Sequence, residues 1–199
     1  MKRRSLLILA CAVAAMPSRA AETRSLKPGQ VLRGRFVQER RLQGFTAPLL
    51  SEGRFVLAFG RGLIWRVEKP FQITTIITAG GLIQDTSGTE TMRLTAARMP
   101  FMSRLYNMLL GALAGDTRGL AADFNIQDTT DADGWRTDLS PKQADDPGMP
   151  FRTIVVRGRT LVEHVEMLKP GGDSDTLHFL DQTVSTGPLT GDEAAALAR

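Results

Sequence analysis

The stretch from Gly34 to Gln84 alternates apolar and polar residues, and turn residues interrupt it at short intervals. Successive side chains of a β-strand point to opposite faces, so a period of two indicates strands with one apolar face. This pattern predicts an antiparallel sheet that buries one side. Its apolar phase contains Phe36, Phe55, Leu57, Phe59, Leu63, Trp65 and Val67, and Leu32 extends the same phase on the N-terminal side.

Turn signals divide the rest of the chain into further strands. Lys69-Pro70 ends one strand, because proline has no N–H to donate to a neighbouring strand. Ala79-Gly80-Gly81 and Asp133-Gly134 are typical of hairpin turns. Pro170-Gly171-Gly172-Asp173 joins the last two strands. The pattern as a whole predicts about ten strands.

The period changes from two to the helical value between Pro100 and Leu113. Thr190 and Glu193 form a capping box that predicts a second, short helix through Leu197. The predicted fold class is therefore mainly β with a central helix (α+β), a strongly curved sheet whose concave face holds that helix. The apolar stripe of the central helix contains Met102, Leu105, Leu109 and Leu113.

The first twenty residues have the pattern of a cleaved export signal. Lys2, Arg3 and Arg4 precede an apolar run from Leu6 to Met16, which is too short to span a bilayer, and Ser18-Arg19-Ala20 is a small-x-small cleavage site. We therefore expect a signal peptide over residues 1–20, one domain over residues 21–199, and a periplasmic location.

Removing the signal changes the charge balance. The chain has 25 Lys and Arg against 21 Asp and Glu, and four of the basic residues lie in the signal, which leaves 21 against 21. A nucleic-acid partner would favour a basic surplus, so none is expected. Cys11 is the only cysteine and leaves with the signal, so no disulfide is expected in the mature domain.

Several apolar residues are candidates for a binding surface on the concave face. Two interpretations stay open: these side chains line a cavity, or they form an ordinary solid core that the helix stripe fills. The candidates are Phe36, Phe55, Leu57, Trp65, Ile73, Ile77, Met102, Leu105 and Leu109.

Catalytic and metal sites are not indicated. If the Pro170–Asp175 turn pairs Leu168 with Thr176, His164 lies diagonally across from His178, and Glu166 lies opposite His178. Two histidines and a glutamate are metal-ligand types, but a solvent-facing hairpin is the simpler interpretation. No nucleophile elbow, phosphate loop or catalytic cysteine is present. We predict no catalytic residues, no metal and no cofactor.

Several segments, taken in order, resemble the periplasmic outer-membrane lipoprotein carriers of the LolA type. The resemblance implies an unclosed β-barrel lidded by helices, an apolar cavity for acyl chains and no enzymatic activity. It also implies a lid-latching arginine, for which Arg61 is the candidate. The segment from Ala21 to Val31 is too short and interrupted for the family's first helix, which indicates a divergent branch. The matching segments are Phe36-Val37-Gln38, Gly53-Arg54-Phe55, Leu63-Ile64-Trp65, Lys69-Pro70-Phe71 and Ala132-Asp133-Gly134-Trp135.

The sequence thus predicts a monomeric periplasmic carrier that binds the acyl chains of a lipoprotein or lipid and ferries them toward the outer membrane. Its expected partners are an inner-membrane donor and an outer-membrane acceptor. The alternative is a non-enzymatic structural or interaction module with a solid β core.

Overall fold

The computed structural model describes residues 26–96, 111, 120–143 and 149–199. Within them, the chain forms one antiparallel sheet of eleven strands, as the alternation of the sequence predicts, and one helix near the C-terminus. The elements are β1 Val31–Arg41, β2 Leu49–Ala58, β3 Gly62–Lys69, β4 Ile73–Thr78, β5 Gly81–Thr86, β6 Thr89–Thr95, β7 Phe124–Thr130, β8 Trp135–Pro141, β9 Thr153–Gly158, β10 Val162–Leu168, β11 Ser174–Ser185 and α1 Gly191–Leu197.

The sheet consists of two meanders joined at one seam. Its order is β6-β5-β4-β3-β2-β1-β11-β10-β9-β8-β7, so β1 pairs with β11 and every other neighbour is a hairpin partner. Among the described residues, β6 and β7 are the two edges, and the sheet is not closed into a barrel. The predicted unclosed, mainly β fold is confirmed.

The sheet is curved around its apolar face. Strands lie about 4.8 Å apart, so a flat sheet would place β4 and β7 roughly 38 Å from each other. Ile77 of β4 and Phe124 of β7 nevertheless belong to one buried cluster, together with Leu57 and Ile154 from strands between them. One buried cluster therefore extends along the inner face of the unclosed sheet from β4 to β7.

Segments outside the sheet help to cover that face. Leu26, Leu120 and Met149 are buried in the same cluster, and none of them belongs to a strand. The predicted central helix, with Met102, Leu105 and Leu109, lies outside the described residues. No helix in the described part of the chain is long and apolar enough to cross a membrane.

The helix α1 lies on the opposite, convex face. It begins with the predicted capping box, in which the Thr190 hydroxyl accepts from the Glu193 N–H and the Glu193 carboxylate accepts from the Thr190 N–H. It contacts β3 and β4, where Ile64 and Ile76 are paired and buried on the side away from the main cluster.

Ion pairs hold both ends of α1 to the sheet. Arg33 of β1 donates from Nε and Nη2 to the two Glu193 oxygens, at 2.8 and 2.6 Å. At the other end, Arg199 contacts Asp85 Oδ2 at 2.5 Å and Glu90 Oε2 at 3.1 Å. The hydrogen bond from Arg33, against the opposing effect of burial, lowers the pKa of Glu193 to about 2, and the Thr190 N–H adds to this effect.

We predict that Glu193→Gln lowers the free energy of unfolding at pH 7 by about 2 kcal/mol, because it removes a charge-assisted pair at a buried helix start. The folded-state pKa lies below the ordinary value of 4.5. The stabilisation is therefore complete above about pH 4.5 and declines as the pH falls toward 2.

Urea unfolding at pH 7 and pH 3 measures both effects. Asp192→Asn is the matched control, since it removes the same charge from the same helical turn at an exposed position. Equal losses in the two variants at pH 7 would contradict the assigned role of the Arg33–Glu193 pair.

Candidate functional site

The predicted apolar candidates that the structure describes lie on the concave face. Phe36, Phe55, Leu57 and Ile77 are buried in the main cluster, and Trp65 packs against it. Ile73 is partly buried on the same face, paired with Val67 of β3. The structure therefore brings these six residues to one surface, and their role in binding stays a prediction.

A reciprocal exchange of glycine and phenylalanine organises this face. Both β1 and β2 contain Gly-Arg-Phe, and their antiparallel register pairs Gly34 with Phe55 and Phe36 with Gly53. A Cβ at position 34 would lie 2.8 Å from the Phe55 ring, and a Cβ at position 53 would lie 1.8 Å from the Arg66 carbonyl oxygen. The lack of a side chain at Gly34 makes room for the Phe55 ring, and the lack of one at Gly53 makes room for the backbone of β3.

Aromatic rings from β1 and β3 meet across β2 on this face. Phe36 and Trp65 stack with ring centroids 3.7 Å apart and an interplanar angle of 23°. Phe55 meets Phe179 edge-on at 5.3 Å, and Trp65 meets the same ring at 6.1 Å. Four aromatic residues therefore form a continuous floor across the seam between the two meanders, with favourable pair geometries.

Phe179 is absent from the residues that the sequence identified for this face. Its signal was the period of two in β11, where Asp175, Leu177 and Phe179 are buried and the residues between them are less so. Only the pairing of Phe36 with Phe179 brings it to the aromatic floor.

Arg61, the candidate for a lid latch, is exposed in the turn between β2 and β3. Its backbone N–H donates to the Ala58 carbonyl oxygen at 2.9 Å. Together with Pro188 and Leu189 it lines a groove of about 280 Å³. The Arg61 side chain has no ion pair within the described ranges. Its role as a lid latch stays a prediction.

The predicted register of the β10–β11 hairpin was wrong by two residues. Leu168 pairs with Ser174, because five residues suffice to close the turn, and Gly172 provides a left-handed φ of 87° there. His164 therefore lies directly opposite His178, with their Nδ1 atoms 3.3 Å apart, and Glu166 lies opposite Thr176 rather than opposite His178.

The Glu166 carboxylate contacts His164 Nε2 and accepts a hydrogen bond from Arg157 Nη1, each at 2.8 Å. The Arg157 and His164 hydrogen bonds lower its pKa. In the residues that the structure describes, no group of three or more His, Cys, Asp or Glu side chains is placed to hold a metal ion.

A comparison with protein families identifies the chain. The family described as outer membrane lipoprotein carrier protein LolA-like matches residues 10–176. The chain belongs to this family, as its strand and turn segments had indicated. No curated protein sequence matches the chain.

Solved structures with a similar fold have very different sequences. A LolA superfamily protein from Nitrosomonas europaea is 11% identical, with a TM-score of 0.44, over 81% of this chain and 89% of its own. A putative outer membrane lipoprotein-sorting protein domain from Vibrio parahaemolyticus is 13% identical, with a TM-score of 0.44, over 88% and 94%. A DUF1329 family protein from Desulfovibrio piger is 10% identical, with a TM-score of 0.42, over 84% and 91%.

We predict that Phe179→Ala destabilises the protein by about 3–5 kcal/mol, because it removes a buried ring that contacts both Phe55 and Trp65. Leu180→Ala, one residue along the same strand, removes a side chain that is 44% exposed. It should cost less than about 1 kcal/mol. Chemical denaturation measures both, and similar losses would contradict the aromatic floor as a structural centre.

Proposed function

We propose that this protein is a periplasmic carrier that holds the acyl chains of a lipoprotein or lipid against its concave face and ferries them toward the outer membrane. Family membership supports a lipoprotein- or lipid-binding role. The observation that carries the proposal is the one-sided apolar face of an unclosed sheet, floored by the Phe36, Phe55, Trp65 and Phe179 rings.

Transfer of an acyl chain through water has a large free-energy cost, of about 0.8 kcal/mol per exposed CH₂. A carrier must cover the chain in transit and still release it. An open, concave sheet meets the first demand, because it offers apolar side chains on three sides of a chain laid along it. An unclosed edge between β6 and β7 meets the second, because no ladder of hydrogen bonds has to break for the chain to leave.

The covering segments supply the movable part in this proposal. Leu26, Leu120 and Met149 come from outside the sheet, so they can leave the cluster without disrupting any strand pairing. Cargo would then replace them on the same apolar surface. Arg61, in a turn at the end of β2, is the proposed residue that holds such a segment closed.

The transport route in this proposal is based on the sequence. Residues 1–20 would direct export and be removed, and residues 21–199 would act as a single-domain, monomeric carrier without catalytic activity. An inner-membrane donor would load it and an outer-membrane acceptor would unload it.

Mass spectrometry of lipids that copurify with the protein in the absence of detergent tests the proposal directly. We expect acyl-chain compounds at a stoichiometry near one cargo molecule per protein. A protein that carries no lipid and takes up no fluorescent fatty-acid probe would instead have a solid core, and the carrier proposal would be wrong.

We predict that Ile73→Gln weakens binding of a fluorescent fatty-acid probe by about tenfold, because it places an amide on the acyl-binding face. Thr74→Gln is the matched control, since Thr74 is the next residue of β4 and faces the convex side. Probe titration with both proteins, at equal thermal stability, measures the difference. Equal affinities would show that the concave face does not contact the chain.

A further inference from the structure

A buried carboxylate lies on the apolar concave face. Asp175 of β11 alternates with Leu177 and Phe179, which belong to the main cluster, so its side chain lies on the same face. That side chain is only 4% exposed. A buried carboxylate has a large desolvation cost unless it is paired and hydrogen-bonded, so its partners are informative.

Two cations and an amide surround this carboxylate. Arg40 Nε lies 2.7 Å from Oδ1, Lys169 Nζ lies 2.6 Å from Oδ2, and Gln38 Nε2 donates to Oδ1 at 2.9 Å. Burial raises the pKa of Asp175, but the hydrogen bonds from Arg40 and Lys169 outweigh it and hold the pKa below its ordinary value. The group is therefore ionised, and these four residues, the Asp175 cluster, carry a net charge of about +1.

Both cations retain unused donors. Arg40 is 46% exposed, and only its Nε has a partner in the described part of the chain, which leaves both terminal nitrogens of the guanidinium available. The Lys169 side chain is 30% exposed and uses one of its three N–H groups. Because the Asp175 carboxylate binds both side chains, their remaining N–H donors are held in place before a ligand binds.

The charges around the cluster cancel, because Arg152 offsets Asp173 and Glu39 is paired with Arg41, so the cluster's own net charge of about +1 is what favours an anion. Arg152 is exposed, its backbone N–H donates to the Leu168 carbonyl oxygen at 2.7 Å, and it has no ion pair within the described residues. Among nearby carboxylates, Asp173 accepts from the Gln43 N–H, and Glu39 is paired with Arg41.

The cluster also lies beside an exposed apolar side chain at one end of the sheet. Arg40 is paired with Leu49 of β2, which is 51% exposed. An amphipathic ligand at this end would have apolar surface along the concave face and cationic donors at its rim.

We propose that the Asp175 cluster binds the phosphate of a lipid headgroup, with Arg40 and Lys169 as its ligands and Asp175 as the residue that positions them. The inference rests on the proposed function, since it assumes that acyl chains occupy the concave face. It narrows the cargo to phosphate-bearing lipids, because the diacylglyceryl anchor of a lipoprotein has no phosphate. The guanidinium fork of Arg40 suits two phosphate oxygens at once, whereas Lys169 acts as a point charge.

Three soluble probes distinguish the contributions of the phosphate and of the acyl chains to binding. Dihexanoyl phosphatidic acid has both, dihexanoylglycerol has only the chains, and inorganic phosphate has only the anion. Calorimetric titration of the wild-type protein should give an affinity for dihexanoyl phosphatidic acid about tenfold above that for dihexanoylglycerol. Arg40→Gln with Lys169→Gln should abolish this preference. Arg41→Gln, at an exposed neighbouring arginine, should retain the preference.

A charge-conserving variant distinguishes specific phosphate binding from a folding defect and from nonspecific electrostatic attraction. Arg40→Lys keeps the net charge and a partner for Asp175 but loses the planar fork, so we expect it to retain wild-type urea stability and lose most of the preference. A wild-type preference in Arg40→Lys and in the double variant would overturn the assignment.

The remaining outcomes distinguish this inference from the proposed function. If wild-type protein binds both dihexanoyl compounds equally, the headgroup assignment is wrong and the carrier proposal stands. If neither dihexanoyl compound binds, both are wrong. If inorganic phosphate alone binds as tightly as dihexanoyl phosphatidic acid, the cluster is a free-phosphate site, and the lipid-headgroup assignment is overturned.

Discussion

The reciprocal pairing of Gly34 with Phe55 and of Phe36 with Gly53 is the contact on which the concave face depends. Each glycine lies opposite the phenylalanine of the other strand, and Phe36 reaches across β2 to stack on Trp65. Phe179 then joins this floor from the second meander, so the same packing that forms the face also holds the seam between β1 and β11.

The two faces of the sheet are stabilised in different ways. The concave face is held by apolar and aromatic packing, which is non-directional and tolerates a change of partner. The convex face adds directional contacts to the buried Ile64–Ile76 pair, with α1 bound to β1 through Arg33–Glu193 and to β5 and β6 through Arg199. In the proposed carrier, the covering of the inner face would change while these outer contacts keep the sheet in place.

Much of the fold could be predicted from local patterns. The alternation from Gly34 to Gln84, the hairpin turns and the Thr190–Glu193 capping box each depend on residues close in sequence, and each is confirmed. The register of β10 and β11 was not predicted correctly, because counting turn residues does not decide how tightly Pro170-Gly171-Gly172 closes. That error placed Glu166 opposite His178, whereas Glu166 lies opposite Thr176 and His164 lies opposite His178.

The sequence by itself determined a one-faced sheet and three of the four aromatic residues that line it, Phe36, Phe55 and Trp65, because strand periodicity is a local property of the chain. Only the tertiary structure decided which distant residues meet. Arg40 contacts Asp175 135 positions away, and Arg33 contacts Glu193 160 positions away. The first contact exists because β1 pairs with β11, and that pairing is set by burial of the shared apolar face rather than by any signal within either strand. The second also requires α1 to pack on β3 and β4.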